Sequence, residues 1–330
     1  MVARPRRIAP LPLALGLALV STGCGRSRGS ASTAAVGPAP RSSPNAAVAL
    51  PTAASGTDGD AVAIVDDHGR RWEAAPARRI ASLSPALTEV LFAVGCGERV
   101  VLRDRWSDHP PEAAAIRAID ALAPSAELLL AARPDVVVAS FPAGKLEGAL
   151  RGAGLPWLGL SPSDLAGVGR DLRRIGALCG RPVAGQRAAE DLAADLRRTA
   201  QRVAGRRRPR VYLELDHAAG GRAWTPGDDT FAAAVLRAAG ADNAFADLRG
   251  WPQIGVEAVL AADPDVVLLA WPGAHQDAPA RFAERPGVRG LRAVQQGRVL
   301  RVDPAIFGRP GPRVGEAVRT LAAMLHPESR

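Results

Sequence analysis

The sequence predicts an α/β fold of two α/β lobes with parallel-type sheets, joined by a single long backbone helix. Two observations carry this. The stretch from Glu127 to Pro142, ELLLAARPDVVVASFP, recurs from Glu257 to Pro272 as EAVLAADPDVVLLAWP, with every residue 130 positions from its counterpart and no gap. Each copy reads as a short helix, a Pro-Asp break, a buried strand and an aromatic-Pro pair. A unit that recurs once, half a chain later, describes two similar lobes, because a solenoid needs at least three copies at short period. The second observation is that residues 163–203 keep a helical pattern, with a break at Gly180-Arg181-Pro182 and with Leu192, Leu196 and Val203 near helical spacing. About 40 residues of helix span ~60 Å if unbroken, long enough to cross from one lobe to the other. Two lobes imply a cleft, and clefts between domains are where small ligands bind.

The elements follow in order. Residues 61–75 read as a hairpin, with Ala61 to Val65, a turn through Asp66-Asp67-His68-Gly69, and a return through Arg71-Trp72-Glu73. Arg79 to Leu83 is a strand. Ser84-Pro85 then places a serine N-cap before a proline at the first helical position, a strong helix start; the helix ends at Gly95 and Gly97. Val100-Val101-Leu102 is the next strand, followed by the loop Trp106 to Pro111. Ser125 caps the short helix carrying Glu127, and Asp135 to Ala139 and Leu155 to Leu160 are strands. Alternating strand and helix makes a parallel sheet flanked by helices. The second lobe opens with a strand from Arg210 to Leu215 and runs through the loop Gly220 to Gly227 to a helix from Thr230 to Ala239. Gly250-Trp251-Pro252-Gln253 leads into the second copy of the repeat. Gly297 to Val302 is a strand, and Phe307 to Arg313 precedes a final helix to about Leu325. The first lobe is therefore 61–162, the bridging helix 163–205 and the second lobe 206–330.

Residues 1–24 read as a signal. Arg4, Arg6 and Arg7 precede an apolar run from Ile8 to Val20 and then Ser21-Thr22-Gly23-Cys24, the charged start, short apolar stretch and small residues of a secretory leader. The run is too short to span a bilayer comfortably. Cys24 after Thr22-Gly23 resembles the lipobox of bacterial lipoproteins, although Ser21 stands where that motif usually has leucine. The resemblance implies removal of the signal and lipidation of Cys24. Residues 25–60 are rich in Ser, Ala, Gly, Pro and Thr; they bury too little to offset their ordering entropy and read as a disordered tether. A lipid-anchored, tethered domain works at a membrane surface outside the cytoplasm. The remaining cysteines, Cys96 and Cys179, read as small core residues.

Composition excludes several functions. Hydrophobic residues make up 47% of the chain, ample for two cores, and the formal net charge of +9 comes almost wholly from arginine, Lys145 being the only lysine. The arginines are scattered and aromatic residues are only 4%, so there is no basic-aromatic stripe for nucleic acid. The densest basic cluster, Arg206-Arg207-Arg208-Pro209-Arg210, reads as a solvated linker between lobes. No G-x-S-x-G elbow, P-loop or H-E-x-x-H occurs. The five histidines, His68, His109, His217, His275 and His326, are dispersed, and no converging set would hold bare zinc or manganese. Asp228-Asp229 reads as a helix start rather than an acid/base pair. An enzyme is not expected.

Five motifs in order carry a family resemblance: Ile80 to Glu89 (IASLSPALTE), Trp106 to Pro111 (WSDHPP), the paired E…LAAxPDVV units, Gly250-Trp-Pro-Gln253 and Phe307-x-Arg-x-x-Pro-Arg313. Together they resemble the periplasmic binding proteins of cobalamin ABC importers, within the superfamily that also captures ferric siderophores and heme. The resemblance covers about residues 61–327 and implies two α/β lobes on one long helix, with small lobe motion on binding. It also implies cobalamin as transported ligand rather than cofactor, a permease and ATPase complex as partner, and a monomer. Ligand contacts then fall on cleft loops: Trp106 before Ser-Asp, Trp224 before Thr225-x-Gly227, Trp251 before Pro252-Gln253, and Arg309 on the last loop. Phe141 stands one place beyond the family's aromatic after the first repeat strand. The aromatic expected before the Glu127 helix is replaced by Ile119-Asp120-Ala121-Leu122, and Asp303 is the nearest candidate for the acidic partner of Arg309. A corrin or porphyrin is a wide, flat, mostly apolar disc, for which tryptophan offers rigid area and one N–H donor.

The resemblance further implies that Glu127 and Glu257, one per lobe, dock onto arginines of the permease. Each sits in the first turn of a helix, where the dipole also favours negative charge. Heme or a ferric siderophore is the alternative ligand. Tyr212, the only tyrosine, lies in a buried strand and suits an axial role poorly, with His109 and His217 the other candidates. A siderophore would favour an arginine-lined cleft built from Arg103, Arg105, Arg222 and Arg309. A surface sensor or adhesin is a third class, against which the glutamate pair counts.

Overall fold

The structure, a computed structural model, describes residues 62–140, 145–217, 221–271 and 276–327. The expected signal, tether and Cys24, and also Phe141, lie outside the described residues. β1 (Val62–Val65) and β2 (Arg71–Ala74) form the antiparallel hairpin expected from the sequence. The first lobe then continues as β3 (Ile80–Ser82), α1 (Pro85–Ala93), β4 (Val100–Asp104), β5 (Ala118–Ile119), α2 (Ala126–Ala132), β6 (Val136–Ala139), α3 (Lys145–Gly152) and β7 (Trp157–Gly159). Its five strands lie in the order β5-β4-β3-β6-β7, all parallel. Two helices follow, α4 (Leu165–Leu178) and α5 (Pro182–Val203).

The second lobe comprises β8 (Arg210–Glu214), β9 (Asp216–His217), β10 (Arg222–Trp224), α6 (Phe231–Ala238), β11 (Asp242–Asn243), β12 (Gln253–Gly255), α7 (Val256–Ala262) and β13 (Val266–Leu269). It ends with α8 (Ala278–Ala283), α9 (Arg292–Gln295), β14 (Val299–Arg301), α10 (Ala305–Gly308) and α11 (Val314–Leu325). Its parallel sheet runs β11-β8-β13-β14, and β12-β10-β9 form a small antiparallel sheet beside it. The order β4-β3-β6-β7 in the first lobe is thus repeated as β11-β8-β13-β14 in the second.

The repeat holds residue by residue. α2 and α7 are offset by 130, as are β6 and β13, and both helices end in a non-glycine residue of positive φ, Arg133 at 45° and Asp263 at 39°. The aspartates after the prolines do the same task twice. Asp135 accepts the backbone N–H groups of Arg78 and Arg79 at 2.7 and 2.8 Å, and Asp265 accepts that of Arg210 at 2.8 Å. The same arginines reach back to the helix ends: Arg79 donates to the carbonyls of Ala132 and Arg133, and Arg210 to that of Ala262. These are carbonyls that no intrahelical partner satisfies.

Both sheets are covered on both faces, which explains their unbroken apolar strands. Side chains alternate across a strand. Val136 and Val138, with Val266 and Leu268, face one apolar cluster shared by both lobes. Val137 and Ala139 face a separate cluster under α2 and α3, and Val267 and Leu269 face another under α7 and α8. The shared cluster is filled by Leu87 of α1, Leu172 of α4, Leu192 of α5, Leu236 of α6 and Leu321 of α11. Cys96 and Cys179 are free and buried within it.

The helical span of 163–205 differs from an unbroken bridge. It divides at Cys179-Gly180-Arg181, and α5 folds back along α4. Gly176 and Gly185 make the close approach: a Cβ on Gly176 would lie 2.7 Å from the Gly185 Cα, and one on Gly185 2.6 Å from the Leu172 carbonyl oxygen. Arg173 donates to Gln186 at 2.7 Å one step further along. α4 packs on α1 and β1 of the first lobe, whereas α5 packs on α4 and on α11 of the second. The lobes are therefore joined by a helical hairpin: α5, 22 residues long, or ~33 Å, makes most of the contact with the second lobe, and α4 also touches α6. No helix among the described residues is long and apolar enough to cross a membrane.

One buried carboxylate makes the first lobe sensitive to pH. Asp171 of α4 is 1% exposed and shares Arg174 with Asp67 of the hairpin turn, at 3.0 and 2.6 Å respectively. Burial first, and then the Asp67 charge, push Asp171 up from 3.8 to about 7 against the pull of Arg174. An acid whose folded value exceeds its unfolded one holds its proton more tightly when folded. Its stabilising contribution is full below about pH 4 and is lost as pH rises through 7. Asp171→Asn therefore stabilises the protein at pH 8 by up to ~4 kcal/mol, and leaves pH 4 unchanged. Urea midpoints at the two pH values check this; a variant with the wild-type pH dependence refutes it.

Candidate functional site

In an open parallel sheet, ligands bind outside the carboxyl ends of the strands. The loops that leave those ends carry the residues singled out in the sequence. β4 leads to Trp106, β8 leads through β9 to Trp224, β11 leads to Trp251, and β14 leads to Arg309. β6 ends at Ala139, and Ser140 and Phe141 follow it in the chain.

Trp106 is half-buried and held from below. Its backbone N–H donates to Asp104 at 2.8 Å, and the Ser107 hydroxyl donates to the other Asp104 oxygen. Ser107 also bonds Thr88, which bonds Ser82 at the end of β3. Burial raises the Asp104 carboxyl above the usual range, opposed by the Ser107 bond. A run of buried hydroxyls thus fixes the height of the Trp106 loop. Ser84 belongs to the same floor. Its hydroxyl bonds Ser140 at 2.6 Å and makes no cap hydrogen bond to α1, so the N-cap expected from sequence is a backbone feature alone. Above the loop, the Arg105 guanidinium lies 4.1 Å from the centre of the Trp106 ring and pairs with Asp120 at 2.9 Å.

Arg309 meets this loop from the other lobe. It donates to Asp108 at 2.7 Å and to the Trp106 carbonyl at 3.3 Å, and lies 3.8 Å from Glu89. Its acidic partner is therefore Asp108, 201 residues earlier, and not Asp303, whose carboxylate accepts the Ala305 N–H at the start of α10. Partial burial raises Asp108, but the Arg309 bond and charge outweigh it and hold the carboxyl below the usual range. Arg313 donates twice to Glu89, at 2.9 and 2.6 Å; Glu89 is 3% exposed. These contacts tie α1 of the first lobe to the last loop of the second. A cavity of about 260 Å³ beside them mixes charged residues, among them Glu89, Arg309 and Arg313, with apolar ones such as Ile306 and Val314. It contains none of the tryptophans and is a small notch at the lobe junction, below the ~300–1,000 Å³ of ordinary ligand pockets.

Trp224 and Trp251 form a second group. Trp224 closes β10 and pairs in register with Gln253 of β12, and the next backbone N–H, of Thr225, donates to the Pro252 carbonyl at 3.0 Å. Trp251 is thereby set two residues from Trp224 across the ladder, with part of its ring on the shared core. The 130-residue repeat also marks Trp271, the counterpart of Phe141 at the end of β13, which the sequence reading left off its ligand-contact set. Trp271 is half-buried beside Arg285, whose guanidinium lies 5.1 Å from the ring centre. Arg285 donates twice to buried Glu214, at 3.0 and 2.8 Å, and Glu214 accepts the Tyr212 hydroxyl at 2.8 Å.

Glu127 and Glu257 are exposed at the first turns of α2 and α7, at the same edge of the sheets as the cleft loops. Among the described residues neither carboxylate has an ion-pair partner. The basic cluster is the exposed linker expected from the sequence, between α5 and β8. Its arginines are also tied down: Arg207 pairs with Asp265, Arg208 with Asp242 and the Ala241 carbonyl, and Arg206 bonds the His326 carbonyl.

The family model for periplasmic binding proteins matches residues 80–306. The chain belongs to the periplasmic binding protein family. A vitamin B12-binding protein of Vibrio cholerae is 28% identical over 257 residues, covering 76% of this chain and 90% of that protein. An uncharacterised ABC transporter substrate-binding lipoprotein of Bacillus subtilis, YvrC, is 27% identical over 262 residues, covering 76% and 81%. A periplasmic heme-binding protein from Pseudomonas aeruginosa superposes with a TM-score of 0.69 at 30% identity, over 77% of this chain and 94% of that one. As a periplasmic binding protein the chain is an extracytoplasmic carrier and not an enzyme, and what its cleft holds is cargo.

In this binding protein the Glu89 pair carries the junction. Glu89→Gln replaces two charge-assisted bonds by weaker ones and lowers stability by ~1–2 kcal/mol, a loss that 0.5 M salt in the assay does not erase because Glu89 is buried. Urea unfolding measures it, and an unchanged midpoint counts against the junction role.

Proposed function

We propose that this chain is the lipid-anchored substrate-binding protein of an ABC importer, capturing cobalamin or a related corrinoid in the interlobe cleft and delivering it to a membrane permease. Three tryptophans, Trp106 and Trp251 on loops and Trp224 at the end of β10, all on segments that leave the carboxyl ends of two parallel sheets, are the observation that carries it. A flat, mostly apolar macrocycle with an amide rim is matched by such rigid amphipathic area. Relatives named for vitamin B12 binding support the same choice. Cys24, through its lipobox-like context, is the proposed anchor.

Heme or a ferric siderophore is the second reading, favoured by the likeness to a heme-binding protein. The residues fit it less well. Tyr212 is 1% exposed and bonded to Glu214, so it cannot serve as an axial ligand. The arginines proposed for an anionic ligand are already engaged. Arg103 bonds the Ala113 and Asp104 carbonyls, Arg222 bonds the Gln253 carbonyl, and Arg105 and Arg309 pair with Asp120 and Asp108. A polyanion must displace those partners.

Glu127 and Glu257 are the proposed permease contacts, two carboxylates on short rigid helices that orient the encounter and speed it. The protein without residues 1–24 is expected to bind cyanocobalamin in calorimetry with quenching of tryptophan fluorescence, and Trp251→Ala weakens that binding about tenfold or more. Saturable hemin or ferric-siderophore binding without cobalamin binding refutes the corrinoid reading. Reversing both glutamates, Glu127→Lys with Glu257→Lys, leaves the cobalamin titration intact and abolishes stimulation of the transporter ATPase; normal stimulation refutes the docking role.

A further inference from the structure

The exposed faces of α2 and α7 carry more than their glutamates. Three residues on, on the same side of the helix, each presents a leucine: Leu130 is 49% exposed and Leu260 37%. Among the described residues only five large apolar side chains are exposed, the others being Val65, Leu122 and Val183. Two of the five thus occupy matching positions of the repeat, each beside a matching carboxylate. Folding does not require them there. Leu129 and Val259 are the residues that α2 and α7 bury, in the outer clusters of their lobes. The rest of each exposed face is alanine, Ala126 and Ala131 on one helix and Ala258 and Ala261 on the other. In a chain with 42 basic residues, neither helix contains one. Single surface leucines are ordinary, but a leucine repeated beside a repeated glutamate is a paired feature.

We infer that each lobe docks through a two-point anchor, glutamate plus leucine, into a permease socket that sets a cationic group beside an apolar seat. The inference rests on the docking reading above and adds to it what the socket must contain. Charge complementarity selects this occupant. A carboxylate framed by leucine and alanine matches a cation set in an apolar surface, whereas the same face of a second copy of this chain would repel it. The two sockets are alike because the two anchors are alike. The division of labour follows from the physics. The carboxylates act at long range and are screened by salt, while the leucines act on contact, by surface removed from water, and are not.

The test compares two double variants against wild type for binding to the permease–ATPase complex reconstituted in nanodiscs, at low and high salt. Leu130→Gln with Leu260→Gln is expected to fold normally, bind cobalamin as wild type, and bind the complex about tenfold or more weakly with its salt dependence unchanged. If the leucine variant binds the complex like wild type while Glu127→Lys with Glu257→Lys fails, the leucine anchor is wrong and docking through the glutamates stands. If both variants bind like wild type, the docking reading itself fails and the anchor with it.

Discussion

The Oδ2 atoms of Asp135 and Asp265 each hold the backbone that enters the central strand of a lobe, at 2.7 to 2.8 Å. Around each carboxylate, an arginine from that entering segment turns back to close the end of the preceding helix. Helix end, central strand and neighbouring strand are thereby fixed at one point. The helices so fixed are α2 and α7, whose first turns carry Glu127 and Glu257. These clasps sit at the amino ends of the parallel strands, and every cleft residue sits at the carboxyl ends. Rigidity is built at one edge of each sheet, leaving the other edge free to hold loops chosen for what they touch.

The shared apolar cluster extends that constraint from one lobe to both. Val138 of the first sheet and Leu268 of the second belong to one continuous core, bridged by α4, α5 and α6. Opening the lobes widely would expose that core to water, at about 25 cal/mol for each Å². The Glu89–Arg313 and Asp108–Arg309 pairs add polar ties on the loop side of the same junction. A frame of this kind limits hinge motion, in keeping with the proposed capture by side chains and loops, and it holds α2 and α7 at the fixed separation that the proposed two-point docking needs.

Much of this was legible in the sequence because a duplication prints its own register. The positions of α2, α7, β6 and β13 follow from the 130-residue repeat, and the Pro-Asp break marks the clasps. The fold-back of α4 on α5 was not legible in the same way. The sequence shows a break at Gly180, but the direction of the chain after it depends on Gly176 and Gly185 meeting face to face, a contact no helical period announces. The partner of Arg309 was not legible for a related reason: Asp108 lies 201 residues away and belongs to the other lobe, whereas the local loop offers only Asp303. Trp271 could have been found, since the repeat aligns it with Phe141. Arg206 to Arg210 form the exposed linker that the sequence suggests, but charge density on a linker does not reveal that carboxylates and helix-end carbonyls wait beside it.

Those pairings bear on the cleft. The chain carries a formal charge of +9, yet many of its arginines are paired, on Asp265, Asp242, Glu214 and Glu89, and others bond the carbonyls that end helices. An arginine paired with a carboxylate leaves little net field, whereas one bonded only to carbonyls keeps its charge. At the cleft, Arg309 lies between Asp108 and Glu89, and Arg105 is held by Asp120 while it covers one face of Trp106. These loops combine aromatic surface with paired charge. On the corrinoid reading proposed above, a neutral amide rim breaks no ion pair on entry, whereas an ionised rim does. Net charge read from composition therefore points away from the character of the site, and only the pairing of each arginine recovers it.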